Sequence, residues 1–418
     1  MDFFPVSPLL LFRSLCYDDA MKIVGITAEY NPFHNGHKYH IEQTKKKTGA
    51  DAVVVIMSGN FVQRGDCAIA DKWSRAHVAL LGGADLVIEL PTYYALGVAP
   101  LFAHGAVATL DALGCIDNIS FGMETNTLDK LINLRDAIIN NADILDKQIR
   151  DQSDKHTGYP AVRYDVISSV CGTDATLLKE PNNMLALEYL LSLSRLKSNI
   201  KPIGITRMGA HYHDKNSDGV FASAASLREL IASNKKIDAS VPENICGAYG
   251  ELNKKGLFPI FSKSFDKMVI SYLRRSDAST LSNVLDMPLG FENRIIAMAN
   301  KATSIDELAR LCSVRQYTNA RIRRLLFASF IGIINMGYEK MPSYVRVLGA
   351  NALGKQVLAK ANDTCSLPII TKTADYKEKN NDKLFLLDVT ATDLYCAAYD
   401  DDSLRKGGAD FTTSPVML

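Results

Sequence analysis

Short runs of β-branched residues alternate with helix-like segments from Met21 onward, and this alternation restricts the fold more than any other feature. The runs are KIVGIT (22–27), AVVVIM (52–57), DLVIEL (85–90), DNISFG (117–122) and PIGITR (202–207). Such runs are typical of strands that are buried on both faces. Amphipathic segments around 36–48, 72–82 and 101–113 separate the first four. Strands that alternate with helices at this spacing predict an α/β fold with a parallel, doubly wound sheet.

The composition describes a packed globular chain without a membrane span. The 418 residues are 47% hydrophobic and 22% charged, which suits an ordered protein with room for two domains. The eight cysteines are scattered and form no CxxC pair, so they indicate free thiols in a reducing compartment and no zinc site. No apolar run reaches the roughly 18 residues that cross a bilayer. We therefore expect a cytoplasmic protein.

The first twenty residues differ from the rest of the chain. The segment MDFFPVSPLLLFRSLCYDDA carries Asp2 where a secretory signal would carry basic residues, and Arg13 interrupts its apolar patch. The next segment, MKIVGITAEY, has the pattern of a domain start. We predict that residues 1–20 are an upstream start or a dispensable extension.

Strand-like runs become sparse beyond residue 235. Helical periodicity is found in the segments 264–284, 291–300, 304–312, 318–336 and 382–399. The sequence thus predicts a sheet-containing domain over 21–235 and a mainly helical domain over 236–418. The tail GGADFTTSPVML is rich in small polar residues, and we expect it to fray.

The stretch EYNPFHNGHKYH (29–40) places three of the eight histidines where the first predicted strand ends. Open parallel sheets bind ligands beyond the carboxyl ends of their strands. Two turn dipeptides, Asn-Pro and Asn-Gly, lead into a helix whose free amide groups can hold a phosphate. His34 and His37 are three residues apart, so both imidazoles can donate to one anion while charge builds up during attack at an α-phosphate. A packing or capping role, or half of a metal site, is the alternative, although no third metal ligand is near.

The segment HNGH (34–37) matches the HxGH signature, and in this the chain resembles the nucleotidyltransferase superfamily, which is related to class I aminoacyl-tRNA synthetases. Members have a second phosphate-binding motif of the type S-x-x-S/T-x-x-R/K at a helix start, and SAASLR (223–228) is similar to it. Serine hydroxyls can cap the helix, and Arg228 offers a guanidinium fork for the β- and γ-phosphates. The resemblance implies that both histidines and Arg228 are catalytic and that Ser226 contacts ATP.

Longer blocks resemble one family in that superfamily, the bacterial tRNA(Met) cytidine acetate ligases. The blocks are VGITAEYNPFHNGHKYH, MSGNFVQRGDCAIADKWSRAHVALLGGADLVIELP, SFGMET, EPNNMLALEYL, GITRMGAHYHD and VRQYTNARIRRLL, in family order from Met21 to at least residue 360. The resemblance implies an ATP-binding segment and further contacts beyond it. The segment comprises Thr27, Ala28, Glu29, Tyr30, Asn31, Pro32, Phe33, His34, Asn35, Gly36, His37, Lys38, Tyr39 and His40, and the further contacts are Gly122, Asn182 or Asn183, and Arg207. Helix capping is the alternative for the asparagines, and a surface salt bridge for Arg207.

Family members use ATP to activate acetate as acetyl-adenylate and then acetylate the wobble cytidine of elongator tRNA(Met), and the resemblance implies both steps here. No covalent enzyme intermediate is required. Mg²⁺ is expected to accompany the triphosphate, although no ligand cluster identifies its protein contacts. Asp66 and Asp71 lie near the site in this interpretation and have capping or surface roles as alternatives, and His211 and His213 are weaker candidates.

A basic stretch in the predicted second domain is suited to RNA. Residues 301–360 contain ten Lys or Arg and three acidic residues, a net charge of +7. Clustered guanidinium groups attract phosphates, whereas a charge run without further signals is usually a solvated face. Together with the resemblance, the stretch predicts that Arg315, Arg321, Arg323 and Arg324 contact RNA. Arg64, in the loop after the second predicted strand, is a further predicted RNA contact, with Gln63 beside it.

Two other functions remain open from the sequence. One is an adenylyltransferase that makes a dinucleotide-type cofactor from a small phosphate ester, which would not explain the basic stretch. The other is a non-catalytic RNA-binding protein with a degenerate nucleotide site, against which the intact HxGH and Arg228 argue. ATP–pyrophosphate exchange with and without acetate separates the enzymes.

Overall fold

The computed structural model describes residues 21–124, 127–153, 159–172, 175–207, 220–337 and 340–418. The predicted extension at 1–20 and the candidates His211 and His213 lie outside these ranges. The strands are β1 (Ile23–Ala28), β2 (Ala52–Ser58), β3 (Phe61–Val62), β4 (Asp66–Cys67), β5 (Leu86–Leu90), β6 (Asn118–Met123), β7 (Lys201–Thr206), β8 (Val345–Ala350), β9 (Ile369–Ile370) and β10 (Val416–Met417).

The α-helices of the described chain follow in the same order. They are α1 (Asn35–Thr48), α2 (Lys72–Leu81), α3 (Thr92–Ala95), α4 (Ala99–Ala112), α5 (Leu128–Asn140), α6 (Ala142–Ser153), α7 (Tyr159–Cys171), α8 (Pro181–Arg195), α9 (Ala224–Ala232), α10 (Glu243–Lys254), α11 (Asp266–Arg275), α12 (Ala278–Ser282), α13 (Phe291–Ala299), α14 (Ile305–Cys312), α15 (Asn319–Ile331), α16 (Ala352–Thr364), α17 (Lys383–Cys396) and α18 (Ala409–Thr412). None of them is long and apolar enough to cross a membrane.

One large sheet forms the centre of the molecule, with the order β10-β8-β5-β2-β1-β6-β7 and with β9 paired to β8. Within this order, the five neighbouring strands β5, β2, β1, β6 and β7 are parallel to one another. Strand β8 pairs with β5 in the antiparallel direction. The chain winds outward from β1 in both directions, so a crevice opens beyond the carboxyl ends of β1 and β6. This confirms the predicted α/β fold with a parallel sheet.

The five predicted strands are present within one residue of their expected ends. Their side chains alternate between two apolar layers. Ile23, Val54 and Ile56 pack in one layer, and Val24 and Val55 pack in the other. Because both faces are covered, continuous apolar runs rather than alternating ones mark these strands.

The central sheet also contains strands from beyond residue 235. β8 and β10 come from the later part of the chain, most of which is helical as predicted. Every residue of β8 is buried, although Arg346 lies within it. The tail does not fray, because Asp410 in α18 is fully buried and β10 pairs with β8. The boundary at residue 235 stays a prediction.

A buried cluster of four charges joins the two parts of the chain. Lys72 Nζ lies 2.9 Å from Glu89 Oε1 and 2.8 Å from Asp410 Oδ1. Arg346 Nη2 lies 2.6 Å from Asp410 Oδ1, and its Nη1 lies 3.4 Å from Glu89 Oε2. Two cations thus face two carboxylates at an exposure of 2% or less. Removal of one member would leave a buried charge without compensation, which is strongly destabilising.

Candidate active site

The segment 29–40, here called the HxGH loop, leads from the end of β1 into the first turns of α1, at the crevice of the sheet. His34 is the N-cap of α1, and its Nδ1 accepts a hydrogen bond from Gly36 N at 3.0 Å. His37 Nδ1 accepts from His34 N at 3.2 Å, and the two imidazole rings stack with centroids 3.8 Å apart. Because each Nδ1 is an acceptor, the proton of each neutral ring is on Nε2. The structure therefore brings both predicted histidines together as Nε2–H donors.

Three amide groups in the first turn of α1 have partners on His34. His34 accepts from Gly36 N through its side chain, and its carbonyl oxygen accepts from His37 N at 2.9 Å and Lys38 N at 3.2 Å. That this helix start seats a phosphate stays a prediction. The imidazoles of the loop offer donors in addition to the amides.

The histidines of this loop are neutral. Burial, together with a smaller effect of the nearby positive charge of Arg207, lowers the pKa of His34 to about 4 and that of His40 to about 4. Burial also lowers the pKa of His37 well below its usual value, with contributions from the two neighbouring histidines and Arg207. Neutral rings can donate hydrogen bonds to an anion without adding charge to the unliganded site.

Arg228 reaches this loop from α9, far away in sequence. Its Nη1 donates to Asn31 Oδ1 at 2.9 Å, and its Nη2 donates to Asp66 Oδ2 at 3.0 Å. Ser223 caps α9 by accepting from Ser226 N at 3.1 Å, so the serines of the second motif position the helix that carries the arginine. The structure thus places the two predicted motifs side by side.

Gly122 and Arg207 lie at the ends of the neighbouring strands β6 and β7. A Cβ atom at Gly122 would lie 3.4 Å from Arg207 Cγ, which is ordinary contact. Arg207 is exposed and its backbone N donates to Met123 O at 3.0 Å, while its charge acts on all three loop histidines. Both residues therefore border the same crevice as the HxGH loop.

The two candidate asparagines bind the end of β6 from the first turn of α8. Asn183 is buried and its Oδ1 accepts from Glu124 N at 3.2 Å, and Asn182 Nδ2 donates to the Glu124 carboxylate. The N-cap of α8 is Glu180, so neither asparagine caps this helix. They hold the segment that follows Gly122.

Two buried residues that sequence analysis missed support the loop. Arg75 in α2 is 1% exposed, and its guanidinium donates to Glu29 O at 2.6 Å, Ser58 O at 2.8 Å and Ala70 O at 3.0 Å. Tyr249 is uncharged, and its hydroxyl oxygen accepts a hydrogen bond from Phe33 N at 2.8 Å. The sequence marks Arg75 only as a charged residue of α2, and it holds no local signal for Tyr249.

The five arginines predicted to contact RNA differ in exposure and in their partners. Arg64 and Arg315 are exposed. Arg321 instead pairs with Asp286 at 2.8 Å and lies over the Tyr317 ring at 4.7 Å. Arg323 and Arg324 donate to backbone oxygens of the loop at 63–67. Part of the basic count is also internal, because Arg346 lies in the buried charge cluster.

The acidic residues near the site do not form a metal centre. In the part of the chain that the structure describes, no three His, Cys, Asp or Glu side chains are grouped to hold an ion. Asp66 is paired with Arg228, and Asp71 caps α2 by accepting from Trp73 N and Ser74 N at 2.9 Å. Glu29 Oε1 accepts from Gln63 N at 2.9 Å. These side chains do not fit Mg²⁺ as a ligand set, and we assign no step to it.

A parallel sheet with an HxGH helix start and an arginine-bearing second motif defines a nucleotidyltransferase of the HxGH class. A family model for HIGH nucleotidyl transferases matches residues 21–410, and the chain belongs to this family. It is 38% identical to the tRNA(Met) cytidine acetate ligase of Caldanaerobacter subterraneus subsp. tengcongensis, over 92% of this chain and 98% of that relative. It is 34% identical to the tRNA(Met) cytidine acetate ligase of Acetivibrio thermocellus, over 95% of this chain and 100% of that relative.

Solved structures agree with this relationship. The fold is similar to the crystal structure of Thermotoga maritima TmcAL bound with alpha-thio ATP, with a TM-score of 0.89 and 30% identity over 95% of this chain and 100% of that chain. The apo form I of the same protein gives a TM-score of 0.90 at 31% identity. The likeness therefore extends over both the sheet and the helical part.

Proposed function

We propose that this chain is an ATP-dependent tRNA(Met) cytidine acetate ligase, which forms acetyl-adenylate and acetylates the wobble cytidine of elongator tRNA(Met) to N4-acetylcytidine. The observation that carries this is the convergence of two Nε2–H imidazole donors with Arg207 and Arg228 at the crevice of the sheet. Relatives that share most of their length with this chain have this name. We also propose a cytoplasmic location, where tRNA is available.

In the first step, a carboxylate oxygen of acetate attacks the α-phosphorus of ATP, and the bond to the bridging oxygen breaks so that pyrophosphate leaves. Negative charge increases on the phosphate oxygens in the transition state. His34 and His37 can donate Nε2–H hydrogen bonds to those oxygens, and Arg228 offers a fork to the leaving phosphates. Such donors act most strongly when they are fixed before the reaction, as the stacked rings are here.

In the second step, the exocyclic amine of cytosine attacks the carbonyl carbon of acetyl-adenylate. AMP leaves with the electrons of the anhydride bond, and the amine loses one proton. The residues of this chain need to bring the base to the crevice and exclude water from the anhydride. No nucleophilic side chain is required.

Further basic side chains lie close to Arg228, around the Phe261 ring. Arg228 Cζ lies 5.4 Å from the Phe261 ring centroid, and Lys263 Nζ lies 5.9 Å from the same centroid. Lys263, just before α11, and Lys267, in its first turn, are exposed. Together with the exposed Arg64, these side chains can attract RNA phosphates near the nucleotide site.

The direct test is incubation of the protein with ATP, labelled acetate and total tRNA, followed by digestion of the RNA. We expect the label in N4-acetylcytidine, only when ATP is present, and its loss in a His34→Ala/His37→Ala double variant that still folds. Label that appears only when a different labelled acid replaces acetate would refute acetate as the substrate. Transfer of AMP to a small phosphate ester, without label in RNA, would favour the cofactor adenylyltransferase.

A further inference from the structure

The loop at 63–67, here called the Asp66 loop, lies directly on helix α15. Arg323 Nε donates to Gly65 O at 3.1 Å, and Arg324 Nη1 donates to Gln63 O at 3.1 Å. Gly65 has φ +73°, and a Cβ atom there would lie 2.4 Å from Arg324 N and 2.8 Å from Arg323 C. The backbone of the loop therefore contacts the backbone of the helix with no room for a side chain.

The other side of the Asp66 loop contacts the nucleotide site. Gln63 N donates to Glu29 Oε1 at 2.9 Å, at the start of the HxGH loop. Asp66 divides its carboxylate between two arginines. Its Oδ2 lies 3.0 Å from Arg228 Nη2, and its Oδ1 lies 3.5 Å from Arg323 Nη2. The loop thus connects α15 to the arginine of the second motif.

These contacts differ from those of an RNA-binding surface. Arg323 is 12% exposed, and Asp66 is 22% exposed. The remaining Nη1 of Arg323 donates to Asp306, which is 79% exposed and lies on the solvent side. The inward-facing nitrogens of Arg323 are therefore engaged by the Asp66 loop, and they are not presented to a phosphate backbone.

We propose that Asp66 and Arg323 are positioning residues for the ATP-dependent step. Arg323 fixes the Asp66 carboxylate, and that carboxylate, with Asn31 Oδ1, fixes the guanidinium of Arg228 beside the HxGH loop. An unrestrained arginine side chain samples many rotamers and loses conformational entropy when it binds a ligand. A guanidinium group that is already fixed therefore binds the triphosphate at a smaller entropic cost. This rests on the proposed function, because Arg228 needs positioning only if a triphosphate is the substrate. It gives Arg323 a role different from the RNA contact that the sequence predicts.

The test measures acetate-dependent ATP–pyrophosphate exchange and tRNA affinity for the full chain and its Asp66→Asn and Arg323→Gln variants. We expect kcat/KM for ATP in exchange to fall on the order of 10- to 100-fold in each, because a displacement of about 1 Å at a reacting group has effects of that size. The KM for ATP should rise and the Kd for tRNA should stay unchanged. Arg310→Gln, an exposed arginine on α14, is the matched control and should leave exchange unchanged.

A double variant separates positioning from loss of stability. If Arg323 acts through Asp66, Asp66→Asn/Arg323→Gln should be no slower than Asp66→Asn alone. Arg323→Lys keeps a positive charge beside Asp66 and should recover most of kcat/KM, which also provides a folded variant should Arg323→Gln unfold. Normal exchange with weakened tRNA binding in Arg323→Gln would overturn the proposal, as would losses that multiply in the double variant. Absence of exchange in the unchanged protein would instead refute the proposed function.

Discussion

Gly36→Ala tests whether the position of the His34 ring is what the site requires. A Cβ atom at residue 36 would lie 2.9 Å from His34 Cε1 and 3.0 Å from His34 Nδ1. Carbon atoms prefer separations of about 3.5–4.0 Å, so the ring must move by roughly 0.5–1 Å. The ring is the far end of a side chain, so it can move without disturbing the backbone. Alanine is also about 1 kcal/mol more favourable than glycine within a helix.

The expected result is a variant that folds at least as well as the unchanged protein and is catalytically impaired. A ring displaced by this distance should reduce exchange on the order of 100-fold, or about 2.7 kcal/mol of transition-state stabilisation. Acetate-dependent ATP–pyrophosphate exchange and thermal unfolding measure the two effects separately. Gly247→Ala, in α10 with no atom within 4 Å of its added Cβ, is the matched control and should keep full exchange. Full exchange in Gly36→Ala would refute the argument from ring position.

Three further predictions use independent observations. The side chains of His34 and His40 should titrate near pH 4 by NMR, because burial lowers each pKa from about 6.5. Between about pH 6.5 and pH 4 the two histidines bind protons in the unfolded chain but not in the folded one. Their contribution to the free energy of unfolding should therefore fall as the pH drops through this range, and titration midpoints near pH 6.5 would contradict the prediction. Arg315→Gln should weaken tRNA binding and reduce its salt slope by about 1 with exchange unchanged, and unaltered binding would remove Arg315 from the RNA surface. Asp410→Ala should lower the free energy of unfolding in urea by about 3–5 kcal/mol because Lys72 loses a buried partner, and a loss below about 1 kcal/mol would refute this account.

The sequence predicted the central strands well because burial on both faces leaves a local signal. The runs that became β2 and β5 are buried at every position, and nothing outside them is needed to recognise them. β8 was missed because Arg346 makes it resemble a surface segment. Its neutralising partners, Glu89 and Asp410, are distant in sequence, so only the folded chain reveals the pairing.

The candidate site likewise has one part that local sequence predicts and another part that only the folded chain reveals. The HxGH helix start is local, and the stacking of His34 on His37 follows from their spacing of three residues on one cap. The contacts of Arg228 with Asn31 and Asp66 join three separate segments, and no local pattern indicates that these segments meet. A count of arginines likewise does not tell which ones face carboxylates, as Arg323 does, because those partners are distant in sequence.

The buried charge cluster also restricts the order in which this enzyme can become complete during synthesis. Lys72 and Glu89 leave the ribosome early, whereas their partners Arg346 and Asp410 are made much later. The edge of the sheet beside β5 can close only at that late stage. A nascent chain whose translation stops before Asp410 would therefore hold both predicted motifs without the finished scaffold around them.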